Sequence, residues 1–158
     1  MRYGLISDTH GYLDPRVKEI FQDVALILHA GDVGSPEVLR ALRELAPVEA
    51  VRGNNDRKGA CARLPRIRWI SLEGSPTLLI HQIGKPSRLL PEVDRLLKRH
   101  RPSLVVYGHS HQPGDETKEG VRFFNPGSAG KKRFRLPRSC ALLTRVGPSV
   151  RIQHLFLE

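Results

Sequence analysis

The chain has 158 residues, 39% apolar and 27% charged, and its 26 Lys and Arg outnumber its 16 Asp and Glu for a formal net charge of +10. That length suits one domain over residues 1–158 with a real core, and the composition excludes a disordered or membrane-embedded chain. The excess of cations points to anionic partners, nucleic acid and phosphorylated small molecules first, with a merely solvated basic surface as the plain alternative.

No run approaches a membrane span, and the N-terminus lacks the basic, apolar and small-residue succession of a signal peptide, so a cytoplasmic protein without membrane contact is expected. Cys61 and Cys140 are far apart without a Cys-x-x-Cys partner and read as reduced, partly buried thiols. The charge leaves a homo-oligomer open.

Tyr3-Gly4-Leu5-Ile6 is a short apolar run that predicts a buried strand, followed by Ser7-Asp8-Thr9-His10-Gly11. Period-two geometry would point Asp8 and His10 the same way beyond the strand tip. Such a pair is half of a transition-metal site, although a strand followed by Asp-Thr-His-Gly is more often a helix-capping turn. Asp14 and Pro15 open a helix to Gln22. Val24–Ala30 is a second buried run ending in Gly31-Asp32, and Ser35-Pro36 opens a helix to about Leu45. Pro47–Val51 is a third strand, ending in Gly53-Asn54-Asn55-Asp56. This alternation argues for an α/β sheet that begins with parallel strands, where ligands gather beyond the carboxyl ends.

Arg57 to Arg68 holds five cations and no acid after Asp56, and reads as a basic loop. Ile67–Leu72 and Thr77–His81 predict a hairpin around Glu73-Gly74-Ser75-Pro76, which puts His81 at a strand end. Leu89–Arg99 has helical spacing, and Leu104–Tyr107 is a buried strand running into Gly108-His109-Ser110-His111. Glu116–Phe124 predicts antiparallel pairing about Glu119-Gly120, and Asn125-Pro126-Gly127-Ser128 a turn. A second basic cluster, Lys131, Lys132, Arg133, Arg135 and Arg138, precedes a terminal hairpin of Ser139–Val146 and Ser149–Phe156.

Five strand ends thus present Asp8 and His10, Asp32, Asn54, His81, and His109 and His111. His29 reads as a structural histidine, His100 and His154 as surface or strand residues. Seven donors exceed one tetrahedral site but suffice for two cations if a carboxylate bridges, and Asp32 is the natural bridge. Two carboxylates against two dications and one hydroxide leave about one positive charge, which favours an anionic substrate. Four imidazoles make manganese (the first choice), nickel, cobalt, iron or zinc fit better than magnesium or calcium.

Asp8-x-His10, Gly31-Asp32, Gly53-Asn54-Asn55-Asp56, His81 and Gly108-His109-Ser110-His111, in that order, resemble the calcineurin-like metallophosphoesterases, and within them the small single-domain phosphodiesterase branch. Asn125-Pro126-Gly127-Ser128 is also similar to a turn typical of that branch. The resemblance implies a four-layer α/β/β/α sandwich of two mixed sheets flanked by helices. It implies one metal held by Asp8, His10, Asp32 and His111 and another held by Asp32, Asn54, His81 and His109. Two departures stand out. Many relatives have His after the Asn, credited with protonating the leaving group, where this chain has Asn55. The family also tends to His-Gly-His where this chain has His81-Gln82-Ile83.

These features imply hydrolysis of a phosphodiester by a hydroxide bridging two metals, with Asn55 and Arg57 as candidate contacts to substrate. A second reading is a nuclease or cyclic-nucleotide phosphodiesterase steered by the basic clusters, against which the first cluster has only Trp69 nearby for stacking. A third is a non-catalytic scaffold similar in outline to the retromer subunit of this fold, whose metal site is eroded. All seven donors present in this chain speak against it.

Overall fold

A computed structural model describes residues 1–158. The apolar runs become strands where expected, with ends displaced by at most two residues. In chain order the elements are β1 (Arg2–Ile6), α1 (Pro15–Ile20), β2 (Leu26–His29), α2 (Pro36–Arg43), β3 (Val48–Ala50), a 3₁₀ turn at Ala60–Arg63, β4 (Ile67–Leu72) and β5 (Ser75–Ile80). They continue with β6 (Gly84–Lys85), β7 (Arg88–Leu89), α3 (Pro91–His100), β8 (Leu104–Val106), β9 (Gly114–Lys118), β10 (Val121–Asn125), β11 (Ser139–Val146) and β12 (Ser149–Phe156).

The terminal hairpin has the expected bounds. The β4–β5 turn is tighter than expected, because Glu73 and Gly74 both take positive φ and Ser75 and Pro76 already belong to β5. The β6–β7 pair had no sequence signal, since two-residue strands carry no periodicity. Each helix has a proline in its first turn. Asp14 caps α1 through Arg16 N–H, whereas the Ser35 side chain makes no capping bond.

Two five-stranded mixed sheets form, ordered β12-β11-β1-β2-β3 and β4-β5-β8-β10-β9. In each, three adjacent strands run parallel, β1-β2-β3 and β5-β8-β10, and the remaining strands pair antiparallel with their neighbours. Strand alternation assigns the side chains to three apolar layers. Leu5, Leu28, Leu79, Leu104, Val106 and Phe124 meet between the sheets. Their neighbours Ile6 and Ile27 turn outward under α1 and α2, against Val17, Phe21, Leu39 and Leu42. Leu78, Ile80, Val105 and Phe123 turn the other way, under Val93 and Leu97 of α3. The result is the four-layer α/β/β/α sandwich. Cys61 and Cys140 are both buried and unpaired, and burial pushes the Cys140 thiol up to about 12. No helix is long and apolar enough to cross a membrane.

This layering positions the site, because all six parallel strands end along one edge of the sandwich. Asp8 follows β1, Asp32 β2, Asn54 β3, His81 β5, and His109 and His111 β8. Away from that edge, Asp14 ties α1 to the C-terminal segment, accepting from Arg16 at 2.8 Å and from Arg138 at 2.8 Å while 3% exposed. The Arg16 hydrogen bond outweighs burial and, with Arg138, holds the Asp14 carboxyl well below the usual carboxylate range. A depressed carboxylate contributes stability at neutral pH that is lost as pH falls through and below its ordinary value of 3.8. Asp14→Ala should therefore lower unfolding free energy by about 2 kcal/mol at pH 7, with the gap to wild type closing as urea denaturation is repeated below pH 4.

Candidate metal centre

The sequence pattern places Asp8 and His10 by strand alternation, but the structure does so differently. β1 ends at Ile6, and both residues lie beyond it with left-handed backbone, φ 53° and 47°. Asp32, His109 and His111 share that conformation, at 54°, 74° and 63°. Five of the nine non-glycine residues with positive φ are thus candidate ligands, a concentration of backbone strain at one site. It persists because the loops are tied to one another. Asp8 N–H donates to Gly31 O at 3.0 Å, His10 N–H to Asp32 O at 3.0 Å and Gly11 N–H to Val33 O at 2.8 Å. The loops after β1 and β2 therefore run side by side.

All seven predicted donors come together. Asp8, His10 and His111 form one group, and Asp8, Asp32 and His81 another, with donor atoms within 4.8 Å of one another in each. Asp8 Oδ1 lies 3.3 Å from His111 Nε2, 3.8 Å from His10 Nε2 and 3.9 Å from His81 Nε2. Asp32 Oδ2 is 3.8 Å from His10 Nε2 and 3.4 Å from His81 Nε2, so this oxygen reaches both sides. Asn54 Oδ1 stands 3.0 Å from His81 Nε2 and 3.1 Å from His109 Nδ1.

Two observations indicate a positive charge that the protein itself does not supply. Asp8 Oδ1 is buried without any hydrogen-bond partner, whereas its Oδ2 accepts from Ser7 Oγ at 2.7 Å and His109 N–H at 3.1 Å. His81 Nδ1 lies 2.8 Å from Ala30 O. A carbonyl only accepts, so Nδ1 carries the hydrogen and neutral His81 turns a bare Nε2 lone pair toward the oxygens of Asp32, Asp8 and Asn54. Burial would lower the proton affinity of His81, but Asp32 and Asp8 outweigh it and raise it above the ordinary imidazole value. Burial likewise opposes ionisation of Asp8 and Asp32, yet the imidazoles of His111 and His81 and the Ser7 hydroxyl around Asp8, and His81 and the two N–H groups of Asn55 around Asp32, keep both carboxyls below the usual range. His10 is lowered by burial and then by the Arg133 charge, His109 by burial and then by His81.

His29 is structural, as the sequence suggests. Its Nδ1 accepts from Gly31 N–H at 3.1 Å, and Thr9 Oγ1, which donates to Val33 O, can only accept from its Nε2 at 3.0 Å. Burial pushes this ring down to about 4. His100, at the end of α3, meets Trp69 with its ring tilted by 48°, and His154 stacks on Phe124 at 4.4 Å while contacting Asn125 O.

Several residues that hold the donors were not legible in the sequence. The Asp56 carboxylate, 4% exposed, accepts from the backbone N–H of Val33, Gly34 and Gly53 at 3.0–3.1 Å, locking the β2 and β3 loops together. Asn125 Nδ2 donates to Gly108 O and Ser110 Oγ, fixing the loop of His109 and His111. The Gln82 amide lies 3.3 Å from His109 Nε2, which leaves His109 Nδ1 turned to Asn54. Asn55, a candidate substrate contact, uses both its N–H and its Nδ2 on Asp32, at 2.8 and 2.9 Å. Arg57 donates to Asn54 O and lines a cleft of about 440 Å³ with Arg52, Asn54, Arg66, His81 and Gln82. Gly53 is required by close approach, since a Cβ there would sit 2.1 Å from Asp32 Oδ1.

Residues 1–146 match the model of the calcineurin-like phosphoesterase superfamily domain. The chain belongs to that superfamily. It is 38% identical over 144 residues to a probable metallophosphoesterase of Methanothermobacter thermautotrophicus, covering 87% of this chain and 82% of that one. It is 30% identical over 142 residues to a phosphodiesterase of Methanocaldococcus jannaschii, covering 80% and 83%. Among solved structures, Vps29 of Chaetomium thermophilum superposes with a TM-score of 0.79 over 99% of this chain and 96% of that one, at 16% identity, a likeness of fold. As a calcineurin-like phosphoesterase the protein is a metal-dependent hydrolase of phosphate esters, and the donors fit a divalent cation by their chemistry.

The Asp56 bonds carry a consequence for stability. Asp56→Ala strands three backbone donors beneath the site and should lower unfolding free energy by about 3 kcal/mol or more, read by urea denaturation of metal-free protein.

Proposed function

We propose that this chain is a dinuclear-metal-dependent phosphodiesterase, with one cation held by Asp8, His10, Asp32 and His111 and the other by Asp32, Asn54, His81 and His109. The observation that carries the reading is the buried, partnerless Asp8 Oδ1 facing imidazole nitrogens at 3.3, 3.8 and 3.9 Å. When bound, two transition cations would polarise the phosphoryl oxygens and supply a deprotonated water near neutral pH. The mixed imidazole and carboxylate ligation suits manganese, nickel, cobalt, iron or zinc better than magnesium or calcium.

The remaining steps fall to the protein. Asn55 grips both oxygens of Asp32 and sets the plane of the carboxylate that both cations would share. His81 Nδ1–H on Ala30 O, and Gln82 beside His109, orient the two rings on the cleft side. Arg57, exposed at the mouth of that cleft, is the cation positioned to take a phosphate oxygen. Asn55 stands where many relatives carry a proton-donating His and is committed to Asp32, and His29 has both nitrogens engaged, so neither protonates the leaving oxygen. This favours diesters with acidic leaving groups over demanding monoesters.

Asp32→Asn should reduce hydrolysis of bis(p-nitrophenyl) phosphate by more than about a hundredfold, and elemental analysis should fall below the wild-type content of about two metals per chain. Activity retained at unchanged metal content would overturn the two-metal reading. Uptake should also displace the proton that His81 holds more tightly than an ordinary imidazole of 6.5. Affinity then weakens as pH falls through the raised His81 titration, and calorimetry in buffers of different ionisation enthalpy should register proton release.

A further inference from the structure

Of the four non-glycine residues with positive φ outside the metal centre, three join or close regular elements. Glu73 and Glu119 begin hairpin turns, and Arg101 closes α3. Phe134, at φ 55°, is the first central residue of a loop turn closed by Leu136 N–H on Arg133 O at 3.3 Å, and it is 94% exposed. A turn of that conformation favours Gly or Asn, and an aromatic ring there gains no burial.

The surroundings are equally one-sided. Lys131, Lys132, Arg133 and Arg135 are all exposed. Lys132 faces Glu158 at 3.4 Å, whereas Arg133 and Arg135 make neither an ion pair nor a side-chain hydrogen bond. The neck of this loop is stapled to the metal centre. Ser128 Oγ and Gly130 N–H donate to Asp8 O at 3.0 and 3.2 Å. The Arg138 guanidinium closes the other end, donating to Gly130 O, Leu157 O and Asp14. Lys131 Nζ lies 5.9 Å from the ring centroid of Tyr12, which follows His10-Gly11. The loop therefore rises on the His10 side, while the cleft of Arg52, Arg57 and Arg66 opens on the Asn54 and His81 side.

We infer that the Lys131–Arg135 loop binds single-stranded nucleic acid, Phe134 stacking on a base and Arg133 and Arg135 taking the flanking phosphates, so that short single strands are the substrate class. The substrate clause rests on the phosphodiesterase reading; the binding site does not. One exposed ring among four cations offers a base-sized stacking face. It offers too little apolar area to anchor on a membrane surface.

The test is fluorescence anisotropy on the full metal-loaded chain with a fluorescein-labelled phosphorothioate single strand of about ten nucleotides. Wild type should bind with steep salt dependence. Phe134→Ala should bind about tenfold more weakly, the size of one lost base stack. The double variant Arg133→Ala, Arg135→Ala should reduce the slope of log affinity against log salt by about 1.4. Arg43→Ala, exposed on α2 and outside both basic clusters, should match wild type and rule out a net-charge effect. No binding by wild type at low salt, Phe134→Ala binding like wild type, or an Arg43→Ala loss equal to that of Phe134→Ala would each overturn the inference. Phe134-dependent binding to phosphatidylserine vesicles with no binding of the strand would also do so. Wild-type turnover of bis(p-nitrophenyl) phosphate, measured alongside, separates the two readings. If it is absent while the strand binds as expected, the phosphodiesterase fails and the loop assignment stands.

Discussion

The organisation of this protein depends on keeping two carboxylates ionised below the surface. Asp8 and Asp32 are 0% and 2% exposed, and burial works against the charge on both. Asp8 Oδ2 is satisfied by Ser7 Oγ and His109 N–H, and Asp32 by the two N–H groups of Asn55. What these donors leave uncompensated, Asp8 Oδ1 and the facing lone pairs, is the demand for a cation. The sandwich meets the geometric side of that demand by ending six parallel strands along one edge, so that loops from both sheets converge.

Rigidity around the donors comes from backbone more than from packing. The left-handed turns at Asp8, His10, Asp32, His109 and His111 are held by hydrogen bonds between neighbouring loops. Asp56 clamps two of those loops and Asn125 a third. Close approaches leave no room for a side chain at Gly53 or Gly108, where a Cβ would fall 2.1 Å from Asp32 Oδ1 and Ser7 Oγ respectively. Strain of this kind is stable only when the surrounding network over-determines it, and a preorganised ligand set is its functional return.

Fold and chemistry separate here. The likeness to Vps29 concerns architecture, and a shared sandwich does not by itself carry an activity. The link to phosphate-ester hydrolysis comes through the superfamily match and the relatives named for that activity. The surface charge adds a layer that the fold does not dictate. Arg66 is paired with Glu92 and Arg68 with Glu49, so part of the first basic cluster is structural. Arg57, Arg133 and Arg135 have no carboxylate partner and remain available to an anion.

The sequence alone determined the strand ends and the donors on them, because buried strands, proline-started helices and glycine turns are written in neighbouring residues. It also determined that His29 stands apart, by its place before the strand tip. The tertiary structure alone decided which donors face one another, since Asp8 and His109, or Asp32 and His81, are brought together by pairing between distant strands. Alternation could not place Asp8 and His10, because the strand stops at Ile6 and left-handed backbone takes over. Nor could it single out Asp56, Asn125 or Gln82, whose roles lie in what their polar atoms reach across the fold. Phe134 is the clearest case. In the sequence it is one aromatic among cations; only the stapled loop makes it an exposed ring beside a metal centre.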